Sequence, residues 1–247
     1  MSKFYEFKNK TDKNIDIYVY GEIIGGSEKW DESDVTFNDF RDNLERLTGK
    51  ETINMYINSV GGSVTTTQGI IAMLQRAKEK GVTINATIDG IGASCASFLP
   101  LVADNVYAYN SSLLMVHHPY TLCIGNVDEL QKQIDLLNKI ENSVMMPLYL
   151  NKAKEGITKD EIKDLVDKET WLNAKEMSEI FNIEILEDDK DLVACVKDKS
   201  ILNKYTNVPK QLKNKLLEDK KTIVKTENVK DKEELELAKA RLRLLYL

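Results

Sequence analysis

The stretch that decides the fold is Ile53-Asn54-Met55-Tyr56-Ile57-Asn58-Ser59-Val60-Gly61-Gly62-Ser63-Val64. Apolar and polar side chains alternate from Ile53 to Ile57, which is typical of a β-strand. The glycine pair ends this predicted strand, and an amphipathic helix follows over Thr66 to Lys80 before Gly81 stops it. A strand followed at once by such a helix is the first part of a β-α-β unit.

The same pattern is repeated on both sides of this stretch. Further strands are predicted over Ile15–Ile23, Val82–Ile88, Asn105–Tyr109 and Leu113–Val116, and further helices over Val35–Leu47 and Ala93–Val102. Alternating strands and helices predict crossover connections and a mainly parallel sheet. The chain is therefore predicted to have an α/β fold.

The second half of the chain is mainly helical in its pattern. A long helix is predicted from Asn126 to about Lys154, a second begins with the capping box at Thr158 and ends near Val166, and a short one starts at Asn173. Beyond Asp198 the composition turns polar. We therefore expect a folded domain over residues 1–198, a polar linker over 199–232 and a C-terminal helix over 233–247.

Composition excludes several classes of function. The 247 residues carry a net charge of −6, which argues against nucleic-acid and anionic-membrane binding, since both need clustered basic charge. No apolar run has the length of a membrane span, and the N-terminus has no apolar signal core, so we expect a cytoplasmic protein. Three cysteines and one adjacent pair of histidines do not predict a metal site.

The candidate nucleophile is Ser94, in Asp89-Gly90-Ile91-Gly92-Ala93-Ser94-Cys95-Ala96. Small residues flank this serine, which directly follows a predicted strand at the start of a helix. That position exposes the hydroxyl and leaves the N–H of Cys95 free to hold an oxyanion. The alternative interpretation is that Ser94 is an ordinary helix N-cap.

The candidate base is His117, in Met115-Val116-His117-His118-Pro119 at the end of a predicted strand. An imidazole there can reach the hydroxyl and take its proton. The alternatives are a packing histidine or a metal-binding pair with His118. Adjacent side chains on extended backbone point to opposite sides, which disfavours the metal-binding interpretation.

A third group has to orient the imidazole and stabilise its charged form. Asp167 and Glu169 are both candidates, and the alternative for each is a solvated surface charge. The turn at Gly61 and Gly62 can offer backbone N–H groups to an oxygen, although a plain strand-to-helix turn has the same pattern. We also expect an extended edge at Gly62, Ser63 and Val64 to bind a substrate backbone as an added strand.

Four motifs in order make the sequence similar to the proteolytic subunits of the Clp protease family, which are serine endopeptidases. They are Ile57-Asn58-Ser59-x-Gly61-Gly62-Ser63-Val64, Gly92-Ala93-Ser94-x-Ala96-Ser97, Met115-Val116-His117-x-Pro119 and Glu169-Thr170-Trp171-Leu172-Asn173-Ala174-x-Glu176. The resemblance covers roughly Ile15 to Glu187.

The resemblance implies a crotonase-like spiral of β-α-β units with a protruding handle helix within residues 126–168. It assigns the nucleophile to Ser94, the base to His117, the acid to Glu169 and the oxyanion donors to Gly61 and Cys95. It further implies protein or peptide substrates, no cofactor, and a homo-oligomeric ring, either a heptamer or a double ring.

The sequence departs from the family pattern at several positions. Val60 stands where the family usually has proline, and Cys95 where it has methionine or isoleucine; both are tolerated because the oxyanion role uses only the backbone. Glu169 replaces the typical aspartate, which keeps Asp167 as a rival. Phe181-Asn182-Ile183 replaces a glycine before the last strand of the core.

The segment from Gly25 to Phe40 and the long polar tail resemble Clp-like head maturation proteases of phages and prophages, whose partners are capsid or scaffold proteins. The alternatives are a housekeeping subunit that works with an ATPase unfoldase and a catalytically silent, scaffold-associated subunit of the same fold. Acyl-CoA hydratases and isomerases share the crotonase-like core, but the serine–histidine pair and the lack of an adenine-binding signature disfavour them.

Overall fold

The computed structural model describes residues 5–8, 13–24, 37–187, 202, 204–210 and 212. The chain divides into two compact units, Met1–Val208 and Pro209–Leu247. The first unit ends ten residues after the expected boundary at residue 198, and Tyr205 and Val208 are buried. The rest of the predicted linker and the helix predicted over 233–247 lie outside the described residues.

The described strands are β1 (Tyr5–Lys8), β2 (Asn14–Ile23), β3 (Thr52–Gly62), β4 (Thr83–Ala93), β5 (Asn105–Tyr109), β6 (Leu113–Val116), β7 (Thr170–Asn173) and β8 (Glu184–Leu186). Within the described part of the chain they form one sheet in the order β1-β2-β3-β4-β5-β8, while β6 pairs with β4 and β7 pairs with β6. The β1–β2 and β6–β7 pairs are antiparallel, and the other pairs are parallel. The predicted α/β fold with a mainly parallel sheet is confirmed.

The helices are α1 (Phe37–Glu45), α2 (Val64–Glu79), α3 (Phe98–Leu101), α4 (Val127–Ile140), α5 (Met146–Lys152), α6 (Lys159–Asp167) and α7 (Ala174–Ile180). Capping boxes begin three of them, at Asn126, Thr158 and Asn173, and in each case a glutamate three residues later bonds back to the cap. These local bonds explain why the sequence pattern located those starts correctly.

The strands predicted to end at Ile57 and Ile88 run on to Gly62 and Ala93. Their ladders continue past a shift in register: β2 pairs with β3 as far as Gly62, and β6 pairs with β4 over Ile91–Ala93. The expected glycine turns are therefore strand ends. Glycines are common in turns because they permit unusual backbone angles, and here the same angles occur at irregular strand ends.

The helix predicted over residues 126–154 is interrupted. One turn of π-helix over Glu141–Met145 separates α4 from α5, and Pro147 lies in the first turn of α5. A proline offers no N–H and its ring collides with the carbonyl four residues earlier, which accounts for the wider turn before it. The helix predicted over Ala93–Val102 is likewise divided, into a 3-10 turn at Ser94–Ser97 and α3.

The core lies between the central strands and the helices. Alternate residues of β2, β3 and β4 are fully buried, among them Ile17, Met55 and Ile84, and α2 covers them with Ile70 and Leu74. Phe181 is completely buried in the same core, and its backbone forms a bridge with Ala153. Burial of such side chains supplies most of the stability that holds the strand ends in place.

The helix α4 differs from the others because none of its residues is buried. Its exposed apolar side chains include Val127, Leu130, Ile134 and Leu136. No helix among the described residues is both long enough and apolar enough to cross a membrane.

Candidate active site

Strand pairing brings four candidate residues to one edge of the sheet. The relevant pairs are Ser59 with Gly92, Ala93 with Met115, and Val116 with Thr170. Gly61 lies two residues beyond the first pair, and Ser94, His117 and Glu169 directly adjoin the other two. Because β3, β4, β6 and β7 are neighbours there, segments that are far apart in sequence meet at a single place.

Ser94 and His117 lie within hydrogen-bonding distance. The Oγ atom of Ser94 is 2.7 Å from the Nε2 atom of His117. In a neutral imidazole with its proton on Nδ1, the Nε2 atom accepts a hydrogen bond from the serine hydroxyl. The arrangement is that of a hydroxyl nucleophile beside a base.

The backbone of Ser94 is held in an uncommon conformation. Its φ angle is 56°, and within the described residues only one other non-glycine residue, Glu169 at 45°, has a positive φ. Such angles cost about 1–3 kcal/mol and occur disproportionately at functional sites. A sharp turn directly after β4 presents the hydroxyl at the end of the strand.

His117 is half-buried, and burial lowers its pKa below the usual value of 6.5. The negative charge of Glu169 acts in the opposite direction, and His118 lowers the pKa further. The net result favours a neutral imidazole at neutral pH, which is the protonation state that a general base needs.

The two candidate acids point to different partners. Asp167 accepts from Lys163 Nζ at 2.6 Å and lies 3.1 Å from Nε2 of His118. Glu169 is the carboxylate whose charge acts on His117, and its Oε1 atom accepts the backbone N–H of Asn207 at 2.7 Å. Asp167 is therefore engaged by Lys163 and His118, whereas Glu169 bonds to Asn207 and acts on His117 through its charge.

His118 faces away from Ser94. Its Nδ1 atom is 2.6 Å from Glu141, in the π-turn after α4, and its Nε2 atom is close to Asp167 at the end of α6. The expectation that the adjacent histidines point to opposite sides is confirmed. His118 links the loop after β6 to two helices.

The predicted oxyanion donors flank Ser94. The N–H of Gly61 donates to Ser59 Oγ at 3.2 Å, and that hydroxyl donates to the carbonyl of Gly21. Cys95 follows Ser94 in the 3-10 turn, and burial raises the pKa of its thiol, which keeps the side chain neutral. The backbone of Cys95, and not its sulfur, is thus the part of the residue suited to the chemistry.

At the expected substrate-binding edge, Gly62 ends β3 and Ser63 is extended, whereas Val64 begins α2. The N–H of Ser63 donates to the carbonyl of Ile23, its side chain caps α2, and Val64 is already helical. Of the three residues, Gly62 alone lines the small cavity beside Ser94. The helix begins two residues earlier than its apolar pattern indicated, and the binding of a substrate along this edge stays a prediction.

Sequence reasoning missed a hydrogen-bonded chain beneath the nucleophile. Ser97 Oγ donates to the carbonyl of Ser94 at 2.6 Å, so the hydroxyl of Tyr149 must donate to Ser97 Oγ at 2.8 Å. Both side chains are fully buried. The position of Ser97, three residues after the nucleophile, was a local signal for its bond to Ser94. No sequence signal indicated that Tyr149, from α5, would bond to Ser97.

The sequence pattern also gave no indication that Tyr205 and Asn207 lie at the site. The Tyr205 ring packs edge-to-face on His117 with 5.3 Å between centroids, and Asn207 bonds to Glu169 as described above. Both residues lie in the stretch assigned to a polar linker. The one available signal was an aromatic residue within an otherwise Lys- and Asn-rich segment.

Comparison with known proteins identifies the family of the chain. The Clp protease family profile matches residues 37–181, more than half of the chain, and the chain therefore belongs to the Clp protease family.

Three curated relatives, all named ATP-dependent Clp protease proteolytic subunits, show the extent of the similarity. The chain is 29% identical over 151 residues to subunit 1 of Prochlorococcus marinus subsp. pastoris and 28% identical to subunit 1 of P. marinus strain MIT 9312; each match covers 60% of this chain and 73% of the relative. It is 26% identical to the chloroplastic subunit 3 of Arabidopsis thaliana, covering 59% of this chain and 46% of that one. The chain thus spans about half the length of the plant relative.

Proposed function

We propose that this chain is a serine endopeptidase whose acyl-enzyme forms on Ser94. The observation that carries the proposal is the 2.7 Å distance between Ser94 Oγ and His117 Nε2 at the end of paired strands. A serine on strained backbone beside a neutral imidazole is arranged for nucleophilic attack.

The reaction proceeds in two halves. His117 takes the proton from Ser94 as the serine oxygen attacks the peptide carbonyl, and the imidazolium then protonates the leaving amine. Water, deprotonated by the same imidazole, attacks the resulting ester and releases the acid product. No cofactor is required for either half.

The oxyanion is held by the backbone N–H groups of Gly61 and Cys95. In the present structure the N–H of Gly61 is bonded to Ser59 Oγ. Holding an oxyanion requires that the Gly61 peptide exchange this acceptor for the substrate oxygen. The left-handed φ of 87° at Gly61 supports that role, since glycine tolerates such rotation.

Glu169 stabilises the imidazolium that forms on His117. Its charge raises the pKa of His117, whereas Asp167 is paired with Lys163 and His118. A negative charge close to the imidazole favours its protonated form, which is the form created in the transition state.

Labelling with a fluorophosphonate probe tests the proposal. The wild-type chain is expected to react at Ser94, and Ser94→Ala to lose labelling and casein hydrolysis together. Ser143→Ala, which changes an exposed serine of the π-turn, is the matched control and should react like wild type. Labelling retained in Ser94→Ala, or calorimetric binding of a CoA thioester to the wild type, would contradict the assignment.

The active form is a homo-oligomeric ring. The exposed apolar side chains of α4, including Leu130 and Ile134, support this because none of the described residues of the chain buries them. Light scattering on the purified protein is expected to give a heptamer or a double ring, and a monomer at working concentration would oppose it.

The biological setting is the maturation of a phage or prophage capsid in the cytoplasm. The segment of residues 25–40 and the polar tail support this setting through the resemblance described above. Cleavage of a co-expressed capsid or scaffold protein, without an ATPase, is the expected result. Hydrolysis only in the presence of an ATPase unfoldase would indicate a housekeeping subunit, and an absence of hydrolysis a silent one.

A further inference from the structure

Tyr205 occupies the space in front of the serine–histidine pair. It is only 7% exposed, and its hydroxyl donates to the carbonyl of Val60 at 2.6 Å. Its ring lies edge-to-face on His117 and, at 6.1 Å between centroids, on Trp171. One aromatic side chain thus touches both the strand that carries Gly61 and the ring of the candidate base.

Residues on either side of Tyr205 anchor it. Lys204 Nζ lies 2.9 Å from Glu22 Oε1, near the end of β2. On the other side, the N–H of Asn207 donates to Glu169 and its side-chain amide donates to the carbonyl of Lys168, each at 2.7 Å. Residues 204–208, called the strap below, therefore cross the site from the end of β2 to the residues directly before β7.

Little room is left beside the nucleophile. The cavity there has a volume of about 20 Å³ and is lined by Glu22, Val60, Gly61, Gly62, Ser94, Tyr120, Lys204 and Tyr205. A cavity of that size holds about one water molecule and no peptide. Two of the lining residues belong to the strap, so its presence closes the site.

The strap does not lie as a substrate would. The N–H of Tyr205 donates at 3.1 Å to the carbonyl of Leu202, within its own segment. A substrate bound as an added strand would direct such groups to the edge of the sheet. The Tyr205 side chain therefore fills the site, and the strap backbone does not pair with the sheet edge as a substrate backbone would.

Tyr205 also lacks the chemistry of a catalytic group. Burial raises the pKa of its phenol, and a weaker interaction with Ser94 acts in the opposite direction. The phenol therefore stays protonated and serves as a donor to the carbonyl of Val60.

We propose that the strap is an autoinhibitory element that covers Ser94 and His117 and must leave before a peptide can bind. This inference rests on the proposed peptidase function. Opening the strap exposes the nucleophile, frees the space in front of Gly61 and releases the carboxylate of Glu169. Reactivity at Ser94 is then limited by the fraction of molecules with the strap open.

A positioning role for the strap predicts the opposite effect. If the bond from Asn207 to Glu169 completed the site, loss of the strap would slow the reaction at Ser94. The sign of the change on removing Tyr205 therefore separates an inhibitory strap from a supporting one.

The experiment compares three full-length proteins: wild type, Tyr205→Ala and Thr206→Ala. Thr206 is an exposed neighbour on the same strap and serves as the matched control. The second-order rate constant for fluorophosphonate labelling is expected to rise about tenfold or more in Tyr205→Ala, since the open fraction limits it. It should stay at the wild-type value in Thr206→Ala. Tyr205→Phe keeps the ring and loses the bond to Val60, and should show a smaller rise.

A second measurement does not depend on catalysis. In a Trp30→Phe background Trp171 is the sole remaining tryptophan. Acrylamide should quench its fluorescence more strongly when Tyr205 is replaced by alanine, because the Tyr205 ring covers the indole. Circular dichroism and thermal unfolding establish that each variant is folded, and Tyr205→Leu, which also removes the ring, replaces Tyr205→Ala if the alanine variant is unfolded.

The outcomes separate this inference from the proposed function. If wild type is labelled and folded Tyr205→Ala is labelled at the same rate or more slowly, the inhibitory role of the strap is overturned and the peptidase function is not. An absence of labelling in all the proteins overturns both the peptidase and the inhibition. Unchanged quenching of Trp171 overturns the placement of Tyr205 over the site.

Discussion

A β-carbon built on Gly61 would lie 2.7 Å from the β-carbon of Ser94 and equally close to the carbonyl oxygen of Ala93. The end of β3 therefore lies directly against the candidate nucleophile, and only a residue without a side chain permits that approach. This contact between two strand ends connects the irregular backbone of β3 with the chemistry proposed for Ser94.

Replacing Gly61 by alanine is expected to reduce the rate of fluorophosphonate labelling by about 100-fold or more, the size of effect seen when one oxyanion donor is lost. The added methyl group displaces Ser94 and strains the peptide that has to rotate. Gly21→Ala is the matched control, because Gly21 has a similar φ of 92° with no atom within 4 Å of the added carbon. The positive φ should cost each variant roughly 1–2 kcal/mol of stability, and the clash with Ser94 adds to that cost in Gly61→Ala alone. Equal labelling rates in the two variants would contradict the role given to Gly61.

Glu169→Gln is expected to lower kcat/KM by about ten- to 100-fold, as follows from losing one screened charge interaction of about 1–3 kcal/mol with the imidazolium. Asp167→Asn should leave kcat/KM within about twofold of wild type, because Asp167 pairs with Lys163 and His118. Steady-state hydrolysis of one peptide by both variants makes the comparison. The assignment fails if Asp167→Asn is the more damaging change.

The pH profile of labelling should reflect the neutral form of His117. Because burial lowers the pKa of His117, the rate is expected to rise with pH and to level off with a midpoint below 6.5. The charge of Glu169 raises that pKa, so Glu169→Gln should move the midpoint to still lower pH while reducing the plateau. A midpoint that moves upward in Glu169→Gln would show that Glu169 does not act on His117 through its charge.

Tyr149→Phe is expected to lower the free energy of unfolding by about 1 kcal/mol, since it removes one buried hydrogen bond to Ser97. Tyr120→Phe changes an exposed phenol and should leave stability unchanged. Urea denaturation of both variants measures the difference. Equal stability would mean that Ser97 finds another donor for its hydroxyl oxygen.

Much of the fold follows from local patterns. The limits of β5 and β6 agree with the alternation in the sequence, and the capping boxes at Thr158 and Asn126 agree with the helix starts. These signals depend on bonds between residues close in sequence. The ends of β3 and β4 were misjudged because their last residues are paired through long-range ladders, which no local pattern reveals.

The candidate site was predicted in part. Ser94 and His117 were selected from the sequence, and strand pairing does bring them together. The choice between Glu169 and Asp167 stayed open from the residues alone, because two carboxylates on one short segment differ only in the direction that the backbone gives them. In the structure Asp167 pairs with Lys163 and His118, while Glu169 bonds to Asn207, and the choice of Glu169 as the acid stays a prediction.

The amino-acid sequence by itself determined the alternation of strands and helices, the family motifs and the identity of the serine and histidine, since each of these depends on residue type and short spacing. Only the tertiary structure revealed that Ser94 and His117 lie within hydrogen-bonding distance and that Tyr205 packs on His117. Both depend on contacts between residues distant in sequence, and such contacts are set by the register of the sheet and by core packing, not by any local preference of the chain.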